Sequence, residues 1–459
     1  MGSNYIEMRL EDCMDAIIDY RGKTPKKVDN GIPLITAKII KNGRIQEVNE
    51  FIAINDYDDW MVRGLPLEGD VVLTTEAPLG EVAQLDARKV ALAQRVITLR
   101  GKKGILENDY LLYLLQSSFV QNQLDGRASG STVTGIKQSE LREIILRLPP
   151  VSLQKSISHQ LKCLDKKIDL NNKINKTLEQ MSQTLFKSWF VDFDPVIDNA
   201  LDAGNPIPEA LQSRAELRQK VRNSTDFKPL PAEIRSLFPS EFEETELGWV
   251  PKGWNISLAG EEFIVKGGST PSTANEDFWI NGTIHWTSPK DLTGNQSKVL
   301  LDTAKKITPL GLTKISSGLL PVNTVLMSSR APIGYLAISK VPMAINQGYI
   351  AIPSAKHLSP EYTIYWLDNI MDDIKGMAGG TTFAEISKSA FKTIKLLIPS
   401  SDIITEFSRI TRNHFDMVVQ NTKEIDSLTN LRDTLLPKLI SGELSLEDLP
   451  DLSTDTEAA

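Results

Sequence analysis

Residues 152–189 read SLQKSISHQLKCLDKKIDLNNKINKTLEQMSQTLFKSW, and the spacing of their apolar side chains decides the fold. From Ile157, alternating steps of four and three land on Leu161, Leu164, Ile168, Asn171, Asn175, Leu178, Ser182, Leu185 and Trp189, a heptad seam sustained over several turns. The seam predicts one long helix over 151–194, with Ser152 as N-cap after the stop at Leu148-Pro149-Pro150. The same walk from Ile403 lands on Phe407, Ile410, His414, Met417, Asn421, Glu424, Leu428, Leu431 and Leu435, so a second long helix is expected over 400–442. A shift of 250 superposes Leu178 on Leu428, Leu185 on Leu435 and Asn171 on Asn421. Two copies of one element predict an intramolecular antiparallel pair. A helix of this length holds whatever lies at its two ends on the order of 57 Å apart. Asn171 and Asn421 fall near the middle, either as cross-seam partners that set register or as solvated seam polars.

Outward from each helix lies a region of mixed β-type runs and turns. Residues 1–150 contain the runs Ile32–Ile35, Val71–Thr75 and Val96–Leu99 and a helix predicted over Asp109–Leu124; residues 247–399 have the same character. The two regions repeat. Gly22-Lys23-Thr24-Pro25 answers to Gly268-Ser269-Thr270-Pro271, and Thr36-Ala37-Lys38 to Thr287 with Lys290 nearby. Ala77-Pro78-Leu79-Gly80 answers to Ala331-Pro332-Ile333-Gly334, preceded by Glu76 in one and Arg330 in the other. Gln94 matches Gln347, Asp109-Tyr110 with Tyr113 matches Glu361-Tyr362 with Tyr365, and the run from Gly126 to Thr132 matches Gly376 to Thr382. Framework positions repeat while polar ones differ, as in one scaffold used for two specificities. The expected fold is α+β: two pseudo-repeated domains separated by an antiparallel coiled coil. Residues 195–246 read as an acidic, proline-rich linker with a short helix near Glu209–Val221, and 443–459 as an acidic tail.

The formal net charge of −8 looks wrong for a nucleic-acid binder until it is located. Six acidic residues from Glu443 onward, and ten acidic against six basic from Pro195 to Glu246, leave the rest of the chain at +2. No apolar run approaches a membrane span and no secretory signal opens the chain, which points to the cytoplasm and no membrane partner. Cys13 and Cys163, far apart, fit a reducing compartment. Gly22-Lys23-Thr24 lacks the earlier glycine of a phosphate-binding loop and runs into Pro25. His159, His285, His357 and His414 do not cluster with each other or with cysteine, so no metal is expected, and no catalytic motif is present.

A binding function remains, and polar or basic residues on turns are its candidates. In the first region these are Lys23, Thr24, Lys38, Arg95, Arg127, Ser129, Ser131 and Thr132; in the second, Lys266, Ser269, Thr270, Lys290, Arg330, Gln347, Thr381 and Thr382. Arg and Lys suit guanine O6/N7 or phosphate, Gln suits adenine N6/N7, and Gly/Ser/Thr loops bring backbone N–H groups to phosphates. The first helix also carries Lys155, Lys162, Lys166, Lys167, Lys173, Lys176 and Lys187, which fit a solvated face as well as a contact surface.

Three framework runs resemble a known family, the specificity subunits of type I restriction-modification enzymes. They are Leu185-Phe186-Lys187-Ser188-Trp189-Phe190-Val191-Asp192-Phe193-Asp194-Pro195, Glu246-Leu247-Gly248-Trp249-Val250-Pro251-Lys252-Gly253-Trp254, and Leu435-Leu436-Pro437-Lys438-Leu439-Ile440-Ser441-Gly442-Glu443-Leu444. The resemblance implies a non-catalytic subunit that binds a bipartite double-stranded DNA target, one half-site per domain. It implies two methyltransferase subunits on the helices, with S-adenosylmethionine on those partners and no cofactor on this chain, and restriction subunits joining that core. The competing expectation is a coiled-coil scaffold whose two domains bind proteins or glycans.

Overall fold

In the computed structural model, which describes residues 5–20, 24–130, 134–294, 297–379 and 384–444, the two long helices run over Val151–Phe190 and Ser401–Ser441. The first stops where Phe193 takes a left-handed φ of 53°, and Pro195 then occupies the first turn of the next helix, where its missing N–H costs nothing. Every member of the first seam is buried except Leu185, which is half-buried. On the second helix Phe407 and Leu435 are buried and Ile410 and Leu428 half-buried, but Met417 and Leu431 are 47% and 40% exposed, while Ile404, Phe415 and Val418 are buried. The apolar stripe there begins two residues wide, with Ile403 beside Ile404 and Phe407 beside Ser408 all buried. A walk started at Ile403 therefore drifts one residue off the buried line.

The chain forms two compact units, Met1–Asp169 with Ile425–Ala459, and Leu170–Glu424, each holding one α+β domain and part of both long helices. Within each unit the helices pack antiparallel. Arg432 meets Asp165 in the first unit; in the second, Glu424, Asn421 and His414 meet Asn171, Asn175 and Ser182 in turn. Asn171 therefore does not face Asn421. The polar pairs centre on Lys173 and Lys423, so each asparagine meets a residue about one turn along the partner helix.

The first domain is built on a four-stranded antiparallel sheet in the order Met14–Asp19, Val96–Gly101, Val71–Thr75, Leu79–Gln84. Val71–Thr75 is buried throughout because both faces are covered. Val71, Leu73, Ile97 and Leu99 face a core shared with helix Asn108–Gln116 and with Leu161, Leu164, Leu435 and Leu439 of the long helices, whereas Val72, Ala83 and Val96 face a second core under a small sheet containing Ile32–Ile35. The single helix expected over 109–124 is broken at Ser117, whose side chain caps a second helix, Ser118–Arg127.

The second domain repeats this plan. Its five-stranded sheet runs Phe263–Lys266, Tyr349–Ala355, Val325–Ser328, Leu336–Ser339, Val299–Leu300, with helix Pro360–Asn369 in the place of Asn108–Gln116. In both domains an early strand pairs with the last one: Ile6–Arg9 with Ile145–Leu148, and Asn255–Leu258 with Lys395–Ile398.

The stretch 195–246, linker-like in composition, is folded onto the second domain. Val196 and Phe238 join the core that holds Trp189, Phe190 and Trp254. Helices Asp194–Ala203 and Gln212–Arg222 lie in parallel, held by Asp194–Arg214, Asp198–Arg218 and Asp202–Arg222. Four-residue spacing puts the three acids on one face and the three arginines on the other, so acidity that reads as solvation is internal pairing.

Candidate nucleic-acid interface

At the end of the central strand of each domain, three segments are tied together by the same backbone bonds. In the first, Thr75 N–H donates to Arg95 O and Ile136 N–H to Thr75 O, both at 3.0 Å; in the second, Ser329 N–H donates to Gly348 O at 2.8 Å and Ile386 N–H to Ser329 O at 3.1 Å. A turn follows each strand in which Ala77 and Ala331 have positive φ and precede cis Pro78 and Pro332. A loop then returns to each turn. Gly135 bridges both Glu76 and Ser129 in the first domain, and Glu385 bridges both Arg330 and Gly379 in the second.

On this shared frame the side chains differ. Arg95 Nε lies 2.7 Å from Glu76 Oε1, and Arg127 Nη1 3.3 Å from Glu140 Oε2. In the second domain the charge on the strand end is reversed: Arg330 stands where Glu76 does, and its Nη1 lies 3.7 Å from Glu385 Oε2, where the first domain has Gly135. The arginine side chains keep between a third and a half of their surface in water, so each carboxylate partner orients its arginine without fully desolvating it. Such a guanidinium can exchange the carboxylate for phosphate or a guanine edge in one fixed direction.

A second patch in the repeat domain involves Thr270, whose hydroxyl donates to Gln347 Oε1 at 2.8 Å. The loop carrying Thr270 approaches its neighbour so closely that a Cβ at Gly268 would lie 1.8 Å from Ile345 O, which only glycine permits. Ser269 fastens that loop, its hydroxyl donating to Lys314 O and accepting from Ser316 N–H.

Of the sequence candidates, Arg95 and Ser129 come together around Glu76 with Arg127 nearby in sequence, Arg330 joins Glu385, and Thr270 joins Gln347. Thr24, Lys38, Lys266 and Lys290 are exposed, and among the described residues no ion pair links the three lysines to these clusters. Lys23, Ser131, Thr132, Thr381 and Thr382 lie outside the described residues. The sequence marks Glu76 only as a difference between the repeats and does not single out Glu140 and Glu385, the other carboxylates that pair with the arginines, or Gly135 on the returning loop. The 250-residue shift that relates the neighbouring loops places Glu385 opposite Gly135, and an acid there becomes legible as an arginine partner only once the loop returns to the turn. Among the described residues no group of three or more His, Cys, Asp or Glu could hold a metal, and no helix is long and apolar enough to cross a membrane.

Residues 3–180 and 251–428 each match the type I restriction modification DNA specificity domain. The specificity subunit of the type I restriction enzyme HindI from Haemophilus influenzae is 27% identical over 380 residues, 78% of this chain and 82% of its own length. The putative MjaX specificity subunit of Methanocaldococcus jannaschii is 20% identical over 450 residues, 95% of this chain and 93% of its own. Among solved structures, the type I restriction-modification S subunit from M. genitalium shares the fold, with a TM-score of 0.56 at 16% identity over 95% of this chain and 96% of that one. The two matched stretches coincide with the two structural repeats and cover most of the chain, which therefore belongs to the family of type I restriction-modification DNA specificity subunits.

Proposed function

We propose that the chain reads a bipartite duplex DNA target, with one half-site per domain, and itself performs no chemistry. The observation that carries this reading is the loop frame built twice on identical backbone bonds and dressed with different side chains: Glu76, Arg95 and Gly135 in one copy, Arg330, Gly348 and Glu385 in the other. A common frame delivers each loop to a groove, and the differing side chains give each copy its own preference. The long helix pair acts as spacer, placing the half-sites about one DNA turn, roughly 34 Å, apart. Two methyltransferase subunits dock on the helices and bring S-adenosylmethionine, restriction subunits join that core, and the assembly works in the cytoplasm. Affinity for DNA alone is modest, since the chain outside the linker and tail carries only +2.

The test is exchange of residues 249–399 for the corresponding domain of a relative, followed by sequencing of methylated adenines in the host genome. One half of the methylated target should change and the other persist; a target unchanged, or changed in both halves, overturns the assignment of one half to each domain.

A further inference from the structure

Each domain sits on the long helices through a rung at an equivalent position. In the first unit Lys162 Nζ meets Asp109 Oδ1 at 2.8 Å; in the second, Arg412 Nε meets Glu361 Oε1 at 3.4 Å, and both residues of the pair are related by the repeat. The next rung diverges. Tyr113 and Tyr365 occupy the same place on equivalent domain helices and are both buried. Tyr365 packs its ring against Phe415 of the second long helix, with centroids 6.0 Å apart. At the position equivalent to Phe415 the first helix carries Asp165, and the Tyr113 hydroxyl donates to Asp165 Oδ2 at 2.7 Å. Burial, and then the charge of Asp165, push the Tyr113 hydroxyl above its ordinary pKa, so it stays a donor.

Asp165 gathers two more groups. Arg44 Nη2, from the strand pair Ile40–Lys41 and Arg44–Ile45 of the first domain, lies 3.1 Å from Oδ1, and its Nε lies 2.5 Å from Asp169 one turn along the same helix. Arg432 Nη1, from the second long helix, lies 2.9 Å from the same Oδ1. The side chains of Asp165, Arg44 and Arg432 are 21%, 27% and 15% exposed, so the cluster is partly withdrawn from water and only weakly screened by salt. One carboxylate thus joins two parts of the first domain and both long helices, where the second domain uses ring packing.

We propose that Asp165 is a positioning residue for target reading: it fixes the angle at which the first domain sits on the spacer helices, and through that seat the spacing at which its half-site is accepted. The inference rests on the proposed DNA reading. If the helices are the spacer, a loosened seat lets the first domain reach half-sites at other spacings without changing the bases it prefers.

The experiment uses the full chain with its methyltransferase subunit and duplexes carrying both half-sites at the native spacing or one base pair longer or shorter. Arg44→Gln removes the domain's charge while Arg432 still compensates Asp165, and Tyr113→Phe removes one hydroxyl while keeping the ring. In both variants the ratio of kcat/KM between native and altered spacing should fall by about 10-fold, the order expected for loss of a hydrogen bond to a partly buried charged group; Arg44→Lys should restore most of the loss in Arg44→Gln. Base preference within each half-site should not move. A ratio held at the wild-type value, including an equal loss of rate at all spacings, overturns the proposal. A wild-type complex that methylates no duplex would strike the DNA reading instead, and amide exchange would then decide the seat: protection of Ile40–Ile45 should fall in Arg44→Gln, and unchanged protection overturns it.

Discussion

Asn171 donates its side-chain N–H to Glu424 Oε2 at 2.8 Å, three residues beyond Asn421, the residue that the repeat makes its equivalent. Asn421 in turn donates to Asn175 Oδ1 at 2.8 Å. The middle of the seam is thus a short polar block between apolar ends. Asn421→Leu should leave the nearly buried Asn175 carboxamide unpaired and destabilise the chain by about 1–3 kcal/mol. The double change Asn175→Leu with Asn421→Leu should recover most of that loss. Thermal unfolding of the single and double variants checks both, and a double variant as unstable as the sum of the two singles would refute the pairing.

The seam also contains a titrating histidine. His414 Nδ1 lies 2.8 Å from the hydroxyl of fully buried Ser182, and burial holds the imidazole below its ordinary pKa of 6.5. Between that lowered value and 6.5 the unfolded chain binds more protons than the native one, so stability rises with pH in this window. The contribution is complete above 6.5 and is lost as the pH falls below it. Melting temperatures measured from about pH 7 down to pH 5 should decline less in His414→Gln than in the parent, and parallel declines would contradict the assignment.

The Thr270–Gln347 patch depends on a glycine. Gly268→Ala forces a methyl group against Ile345 O, a backbone atom that cannot swing away, and should cost about 1–3 kcal/mol. Recognition of the second domain's half-site should weaken while the first is read normally. Gly376→Ala, which meets nothing within 4 Å, is the control. Binding to duplexes mutated in one half-site at a time separates the two effects.

The folded status of residues 195–246 is open to a direct test. Arg218 and Asp198 have side chains 16% and 10% exposed and pair at 2.5 Å. Arg218→Met leaves the carboxylate buried without its counter-charge and should cost about 3–5 kcal/mol, whereas Asp198→Leu with Arg218→Met should be close to neutral. Trypsin should cut at Lys220 and Arg222 slowly in the parent and rapidly in Arg218→Met; rapid cutting of the parent would mean that the segment is a linker after all.

The periodicity of 152–189 gave the helices, and the 250-residue shift gave the two domains, because both patterns are written in residues whose burial is obligatory. Register was harder to read. A stripe that starts with Ile403-Ile404 and Phe407-Ser408 supports two walks, and only packing chooses between them. The site was half legible: Arg95, Arg330 and Gln347 stand out by type, but their settings depend on Glu76, Glu385 and Thr270, which reach them through the fold. In the segment 195–246 the short helix expected near Glu209–Val221 is present as Gln212–Arg222, but composition alone reads the stretch as a linker because it counts charges without showing that arginines twenty residues on meet the aspartates.

The pairing of Ile6–Arg9 with Ile145–Leu148, and of Asn255–Leu258 with Lys395–Ile398, has a bearing on how such a chain changes its target. Each domain hangs on a two-stranded stem whose ends are neighbours. A foreign domain that keeps the stem can be inserted as a cassette without rerouting either long helix. If each domain reads one half-site, as proposed, exchange of a whole cassette would change one half of the target in one step and leave the spacer as it was.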